Sequence, residues 1–269
     1  MLTGAATDVS PPRGIPFGAW ALPPQLMGRL YNAAVLSGHE PYRRLDEVKA
    51  HKGQVVLYLA RNQSRENGVF SVSKTQRFLE KWPDLTPYIH DGTVWGIMVA
   101  DDITGKKIWG PDAPYFAQID SVAQFVKKRW PEARTIVRAP PTMMSYPWKH
   151  VEWAWGQYSN LPRNGKVESY RIRESAKADS LKLCLVFGLN IINGGDGSSG
   201  KGTHRKHLMS GAEFLEYYSV LLPHTPIALH WQYRPELEQD ADLRAAMEQV
   251  RAWADTMPRP SCRFERGKG

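Results

Sequence analysis

The sequence predicts one α/β domain, a (β/α)8-like barrel with one strand irregular or missing. Two observations predict it. Seven short apolar runs recur along the chain, separated by stretches with helical spacing, and most runs close in polar or aromatic residues. Strands buried on both faces read as near-continuous apolar runs, and their alternation with helices implies a parallel sheet. In a barrel of such units the strand C-termini converge on one face, so those polar tails would share one mouth. The length of 269 residues matches the roughly 250 residues of such a barrel.

Residues 1–13 read as a flexible lead-in, 14–256 as the barrel domain and 257–269 as a loosely ordered tail. Strand one is expected over 15–21, followed by helices around 25–37 and 45–52, with Gly53 as a C-cap. Strand two is 54–60, and a polar loop, 61–68, leads to a helix near 73–81. Asp91-Gly92 turns the chain into strand three, 93–100. After a Pro- and Gly-rich loop, Phe116, Ile119, Val122, Ala123 and Val126 mark a helix by their spacing. Strand four is 135–138, strand five 151–157, then a helix near 169–180 and strand six, 183–190. Ser210-Gly-Ala-Glu213 reads as a capping box opening a helix with Phe214, Leu215, Tyr218, Leu221 and Leu222 on its buried face. Strand seven is 226–233, and the last helix spans 240–254 with Leu243, Ala246, Met247 and Val250 inward. An eighth strand is sought in 85–89 or 142–148.

Composition narrows the function classes. The net charge is +8, but the surplus is scattered apart from 201–206, 127–129 and the Arg-rich tail. Scattered charge reads as a solvated surface, and no basic helix with interleaved aromatics argues for nucleic acid. No apolar run reaches the ~18 residues of a membrane span. Cys184 reads as a small buried thiol inside a strand, and two Cys do not make a disulfide scaffold, although a bridge to Cys262 stays open. Residues 1–12 lack the apolar core of a signal peptide, so the chain is either intracellular or begins after a processed leader. Ten Trp and eleven Tyr are many; such rings stack on sugar faces, and they also fill cores.

The candidate site is assembled from the strand ends. Strand three closes on Asp101 and Asp102, whose side chains should point to opposite faces. Gly96, Met98, Ala100 and Asp102 form one parity set, so Asp102 is expected in the pocket. The competing reading pairs these carboxylates with Arg61 or Arg138. Substrate-binding candidates are Trp20, Arg61, Arg138, Gln157, Tyr158, Asn190, Asn193, Asp196, His230, Trp231 and Tyr233. Amides and Arg donate and accept toward hydroxyls, and Trp and Tyr supply flat apolar faces. Taken singly, His230 reads as a core histidine and Trp231 as core. Asp196 and Glu152 are the remaining candidates for a second carboxylate, and Glu152 is expected low in the barrel with a partner. The segment 195–202 nearly matches a phosphate loop, but Gly202 stands where the motif needs Ser or Thr. The preferred reading is a loop over the pocket with Lys201, His204 and Arg205 exposed. Asp196, His204 and His207 match no standard metal spacing.

Three stretches resemble (β/α)-barrel proteins related to glycoside hydrolases, the TIM-barrel glycoside hydrolase-like superfamily, particularly its poorly characterised bacterial members. They are 91–102, Glu152-Trp-Ala-Trp-Gly-Gln157-Tyr158, and 188–200 with the following Met209-Ser-Gly-Ala-Glu213. The resemblance implies a carbohydrate-active barrel that hydrolyses glycosidic bonds, with Asp102 as general acid and Asp101 orienting it, and with no cofactor. It also implies a sugar partner and, since such proteins are often exported, a removed signal peptide. In relatives the first stretch often ends in Asp-Glu-Pro; here Asp102 and Ile103 stand instead, so the carboxylate is one methylene shorter. The alternatives are a non-catalytic carbohydrate- or cell-wall-binding barrel and, behind it, nucleotide binding at 195–203.

Overall fold

Eight strands close into one parallel barrel: β1 (Phe17–Trp20), β2 (Ala33–Gly38), β3 (Gln54–Leu59), β4 (Val94–Asp101), β5 (Thr135–Arg138), β6 (Trp153–Tyr158), β7 (Cys184–Asn190) and β8 (Ala228–Trp231). Each pairs in parallel with the next, and β8 returns to β1. The structure is a computed structural model that describes residues 14–59, 64–67, 69–103, 115–203 and 206–265. Around the barrel lie α1 (Leu45–Ala50), α2 (Val72–Glu80), α3 (Thr86–His90), α4 (Phe116–Arg129), α5 (Leu161–Asn164), α6 (Val167–Leu181), α7 (Gly211–Leu221), α8 (Pro235–Gln239) and α9 (Ala241–Thr256). Among the described residues no helix is long and apolar enough to cross a membrane.

The eighth strand is β2, in the stretch read from sequence as a helix. Ala, Val and Leu in a run of six fit either element, and Leu26 and Leu30 ahead of it supply a misleading helical spacing. The structure breaks that spacing at Gly28, which takes a positive φ of 97°. Asn32 then clamps the new strand to the first one. Its Oδ1 accepts from the Phe17 amide at 2.8 Å, and its own amide donates to the Phe17 carbonyl at 3.0 Å. The two strands approach so closely that a Cβ on Gly18 would overlap the Ala33 carbonyl oxygen. Neither proposed alternative is a strand: 86–90 is α3, and Pro141–Met143 is a 3-10 turn.

Helix ends follow local chemistry. Ser210 accepts from the Glu213 amide while Glu213 Oε2 accepts from the Ser210 amide at 2.8 Å, the reciprocal capping box. Asp240 caps α9 through the Leu243 amide. Buried Ile119, Val122, Ala123 and Val126 form the inner face of α4.

Two apolar layers result. The outer one lies between strands and helices. The inner one fills the barrel with Val35, Val56, Met98, Ile136, Val186 and Leu229, below Trp20, Tyr58 and Trp155 and above Trp95 and Trp153. Glu152 sits at the start of β6, outside the barrel, where Lys127 Nζ lies 2.9 Å from its carboxylate.

Residues 257–269 read from sequence as a loosely ordered tail; the described part of it, 257–265, carries several attachments. Cys262 is disulfide-bonded to Cys184, so Cys184 is a half-cystine and not the free thiol expected. Phe264 packs against the inner layer, Glu265 pairs with Arg134 at 2.5 Å, and Arg259 donates to the Gly14 carbonyl and Gln54.

Candidate functional site

The mouth of the barrel is organised by one guanidinium. Arg138 ends β5 with its side chain inward, two residues above Ile136. Its Nε donates to the Asp101 carboxylate, its Nη1 donates to Gln157 Oε1 at 2.8 Å, and its Nη2 lies 3.2 Å from Asp102 Oδ1. Gln157 Nε2 in turn donates to the Leu189 carbonyl at 3.3 Å, so the network spans β4, β5, β6 and β7. The guanidinium also lies over two indoles, 5.2 Å from the Trp20 ring and 4.9 Å from Trp231. Trp20 contacts Trp231, Tyr58 and Trp155 at 4.8, 5.0 and 6.0 Å between ring centroids.

This arrangement corrects the assignment of the two aspartates. The register of β4 against β5 shifts between Met98 and Ala100, so two residues oppose one and the alternation inverts. Asp101, not Asp102, therefore points into the barrel, where it is buried. Asp102 takes a left-handed φ of 47° at the rim, with its side chain 47% exposed. The ion pair with Arg138, the competing reading of the sequence, is present for both. Arg61, the other proposed partner, lies outside the described residues.

Trp20, Trp231, Arg138 and Gln157 are thus brought together with the aspartates. Trp20 is buried and walls the site, while Trp231 is partly exposed and offers a face to solvent. Asn190 belongs to the inward column of Cys184 and Val186 and lies beside Trp231 in the sheet register. Its Oδ1 accepts from the Asn193 amide at 3.2 Å, so Asn193 meets it through backbone.

Four candidates stand elsewhere. Tyr158 faces the helices, with its ring against Tyr217 and Tyr170 and its hydroxyl donating to the Gly165 carbonyl at 2.9 Å. Burial pushes that hydroxyl up to about 12. His230 is fully buried between β8 and the helices, against Phe17, Tyr31 and Phe214. Burial alone pushes its pKa down to about 3, so it serves as neutral core and not as a base. Tyr233 sets its ring edge on Tyr31 at 6.2 Å, on the outer layer. Asp196 is exposed and accepts from the Ser198 amide at 2.7 Å, and the bonds from Ser198 hold its carboxyl below the ordinary range. Tyr58 and Trp155, absent from the sequence candidates, also lie at the mouth against Trp20. Both share parity with inward residues of their strands, Val56 for one and Gln157 for the other, and that parity is the signal that finds them.

The near-match to a phosphate loop is not one. Gly202–Thr203 pairs with Lys206–His207 as a small antiparallel ribbon, and the next helix starts only at Gly211. Lys201 is committed to Asp240 at 2.6 Å. The loop is anchored through the Asp196 amide to Glu213 Oε1 at 2.8 Å. His204 and Arg205 lie outside the described residues. Among the described residues no group of three or more His, Cys, Asp or Glu is placed to hold a metal ion.

Comparison with known proteins places the fold. No protein-family model matches the chain, and no curated protein matches it. Solved structures do. An endoxylanase of glycoside hydrolase family 10 from a sugarcane soil metagenome aligns over 88% of this chain and 97% of its own, with a TM-score of 0.59 and 7% identity. A xylanase of Paenibacillus barcinonensis, solved with a conduramine derivative, aligns over 87% and 91%, with a TM-score of 0.55 and 9% identity. A third structure, a mutant in complex with xylotriose, aligns over 81% and 85%, with a TM-score of 0.53 and 10% identity. The fold is that of a (β/α)8 TIM barrel, shared with these glycoside hydrolases.

Proposed function

We propose that the barrel mouth binds carbohydrate and that the protein is a glycoside hydrolase-like barrel acting on an oligo- or polysaccharide. The observation that carries this reading is the Arg138 assembly. A partly exposed indole, Trp231, adjoins a cluster of carboxylates, guanidinium and carboxamide fixed in place by mutual bonds. A pyranose needs that combination: an aromatic face for its C–H side and charged or amide groups for its hydroxyls. Solved structures of the same fold include xylanases, and another structure of that fold was captured with xylotriose, so xylan fragments head the list of ligands to try.

In the hydrolytic form of this reading, Asp102 is the acid at the rim, and Asp101, fixed on Arg138, orients it. Trp231, Gln157 and Asn190 hold the ring. The chemistry calls for no cofactor. One observation favours a binding-only barrel instead. Hydrolysis uses two carboxylates that flank the scissile bond, roughly 5–9.5 Å apart. Asp101 and Asp102 are adjacent in the chain and converge on one guanidinium.

The test is a panel of polysaccharides and aryl glycosides, with product release and thermal shift recorded together for the wild type and Asp102→Asn. Turnover by the wild type, lost in the variant with ligand-induced shifts kept, supports the hydrolytic form. Shifts without turnover in either protein support binding alone. No shift with any glycan sinks the carbohydrate reading.

A further inference from the structure

The two cysteines in this chain meet, although 78 residues separate them. Cys184 starts β7 at the amino-terminal end of the barrel, opposite the mouth, with its side chain in the inner layer. Cys262 comes from the coil after α9. Their bond draws that coil across the barrel floor. Phe264 then packs against the inner layer that holds Trp95 and Trp153, with the Arg263 guanidinium 4.7 Å over its ring. Arg134 continues the floor: it lies 5.2 Å over the Trp95 ring and pairs with Glu265.

Apart from the bond, this segment is held at its two ends, by Arg259 on Gly14 and Gln54 and by the half-buried Glu265–Arg134 pair. Beside Cys262 itself the Arg263–Asp179 pair is exposed on both sides, and such pairs contribute little. Phe264 is only partly buried. The disulfide is also within reach of solutes. A cleft of about 480 Å³ is lined by both half-cystines, with Asp179, His224, Ser261 and Phe264 around it.

We infer that the chain matures and works in an oxidising compartment, where the Cys184–Cys262 bond fastens residues 257–265 as a floor under the barrel. Structural disulfides persist where thiols are kept oxidised and are rare where they are kept reduced. Bond formation takes two thiols to one disulfide, with loss of two protons and two electrons. A disulfide-bearing exchange partner accepts the electrons by thiolate attack and leaves as a dithiol. The inference is independent of the carbohydrate reading, because every residue it uses lies at the end of the barrel opposite Arg138.

Two measurements test it. First, cells that make the protein naturally are quenched in acid, and the thiols are trapped with a maleimide–polyethylene glycol under denaturing conditions. The expected result is no label until a reductant is added, then two labels. Two labels without reductant overturn the assignment of compartment. Second, the purified full chain is melted with and without reductant, beside Cys262→Ser and Phe264→Ala. Closing a loop of this length contributes through the unfolded chain, so reduction or Cys262→Ser should lower the melting temperature on the order of 8 °C. Phe264→Ala should lower it by less while leaving the bond intact. A melting temperature unmoved by reduction overturns the fastening role. Glycan-induced shifts at the mouth should survive in Cys262→Ser below its own melting temperature, which separates failure here from failure of the carbohydrate reading.

Discussion

Acid should destabilise this barrel through one histidine. His230 has no exposed surface, and among the described residues neither ring nitrogen has a hydrogen-bond partner. Its neighbours are the rings of Phe17, Tyr31 and Phe214 at 5.5, 5.8 and 5.9 Å. A charged imidazolium there would lose its water and gain nothing in return, and burial accordingly pushes the pKa from 6.5 down to about 3. The folded pKa is depressed, so the fold holds the neutral ring while the unfolded chain takes up a proton below its ordinary pKa. The contribution is therefore complete above about pH 6.5 and is lost as the pH falls toward 3, at about 1.4 kcal/mol per pH unit. Between pH 7 and pH 5 the loss comes to about 2 kcal/mol, a large part of the 5–15 kcal/mol typical of a domain. The assay is urea unfolding at both pH values for the wild type and His230→Leu, which fills a similar volume and cannot titrate. The wild type should lose about 2 kcal/mol more than the variant over that interval, with unchanged denaturant slopes. His224, also shifted down by burial, contributes equally to both proteins and cancels. Coincident pH dependence in the two proteins would refute the reasoning.

Other expectations concern the mouth and its support. Arg138→Met leaves Asp101 buried beside a thioether and should cost about 3–5 kcal/mol in urea unfolding, together with all glycan-induced shift. Trp231→Ala removes the partly exposed platform and should weaken binding of a soluble oligosaccharide about tenfold by calorimetry, with a smaller loss of stability than Arg138→Met because the ring is only partly buried against Trp20. Gly188→Ala would set a Cβ 2.5 Å from Trp155 Nε1 and into the Leu229 carbonyl oxygen, and should cost about 1–3 kcal/mol with altered tryptophan fluorescence.

Most of the architecture is legible in the sequence because each barrel strand is an apolar run ended by a polar break. Thr135–Arg138 is read to the residue, and the capping box at Ser210 is fixed by local chemistry alone. The strand that escaped, Ala33–Gly38, is made of residues that suit a helix as well. What decides it is tertiary: Asn32 bonding to Phe17, and a backbone approach that Gly18 alone permits. The pairing of Cys184 with Cys262 is equally tertiary, since two distant cysteines carry no spacing rule.

The most consequential error is also the most local. Strict alternation along β4 assigns the pocket to Asp102, and it fails because one extra residue between Met98 and Ala100 inverts every side chain after it. Nothing in Met98-Val99-Ala100 announces a bulge. A partner can announce it, however. Arg138 ends a strand whose parity is not in doubt, and its inward guanidinium needs an inward carboxylate on the adjoining strand. Asp101 is the residue that the register sets opposite it. Charge matching across neighbouring strand ends therefore reads the site where alternation within one strand misreads it. If Asp101 is the buried partner and Asp102 the rim carboxylate, Asp101→Asn should destabilise the fold and Asp102→Asn should not. Equal, small losses of stability in the two variants would return the pocket to Asp102.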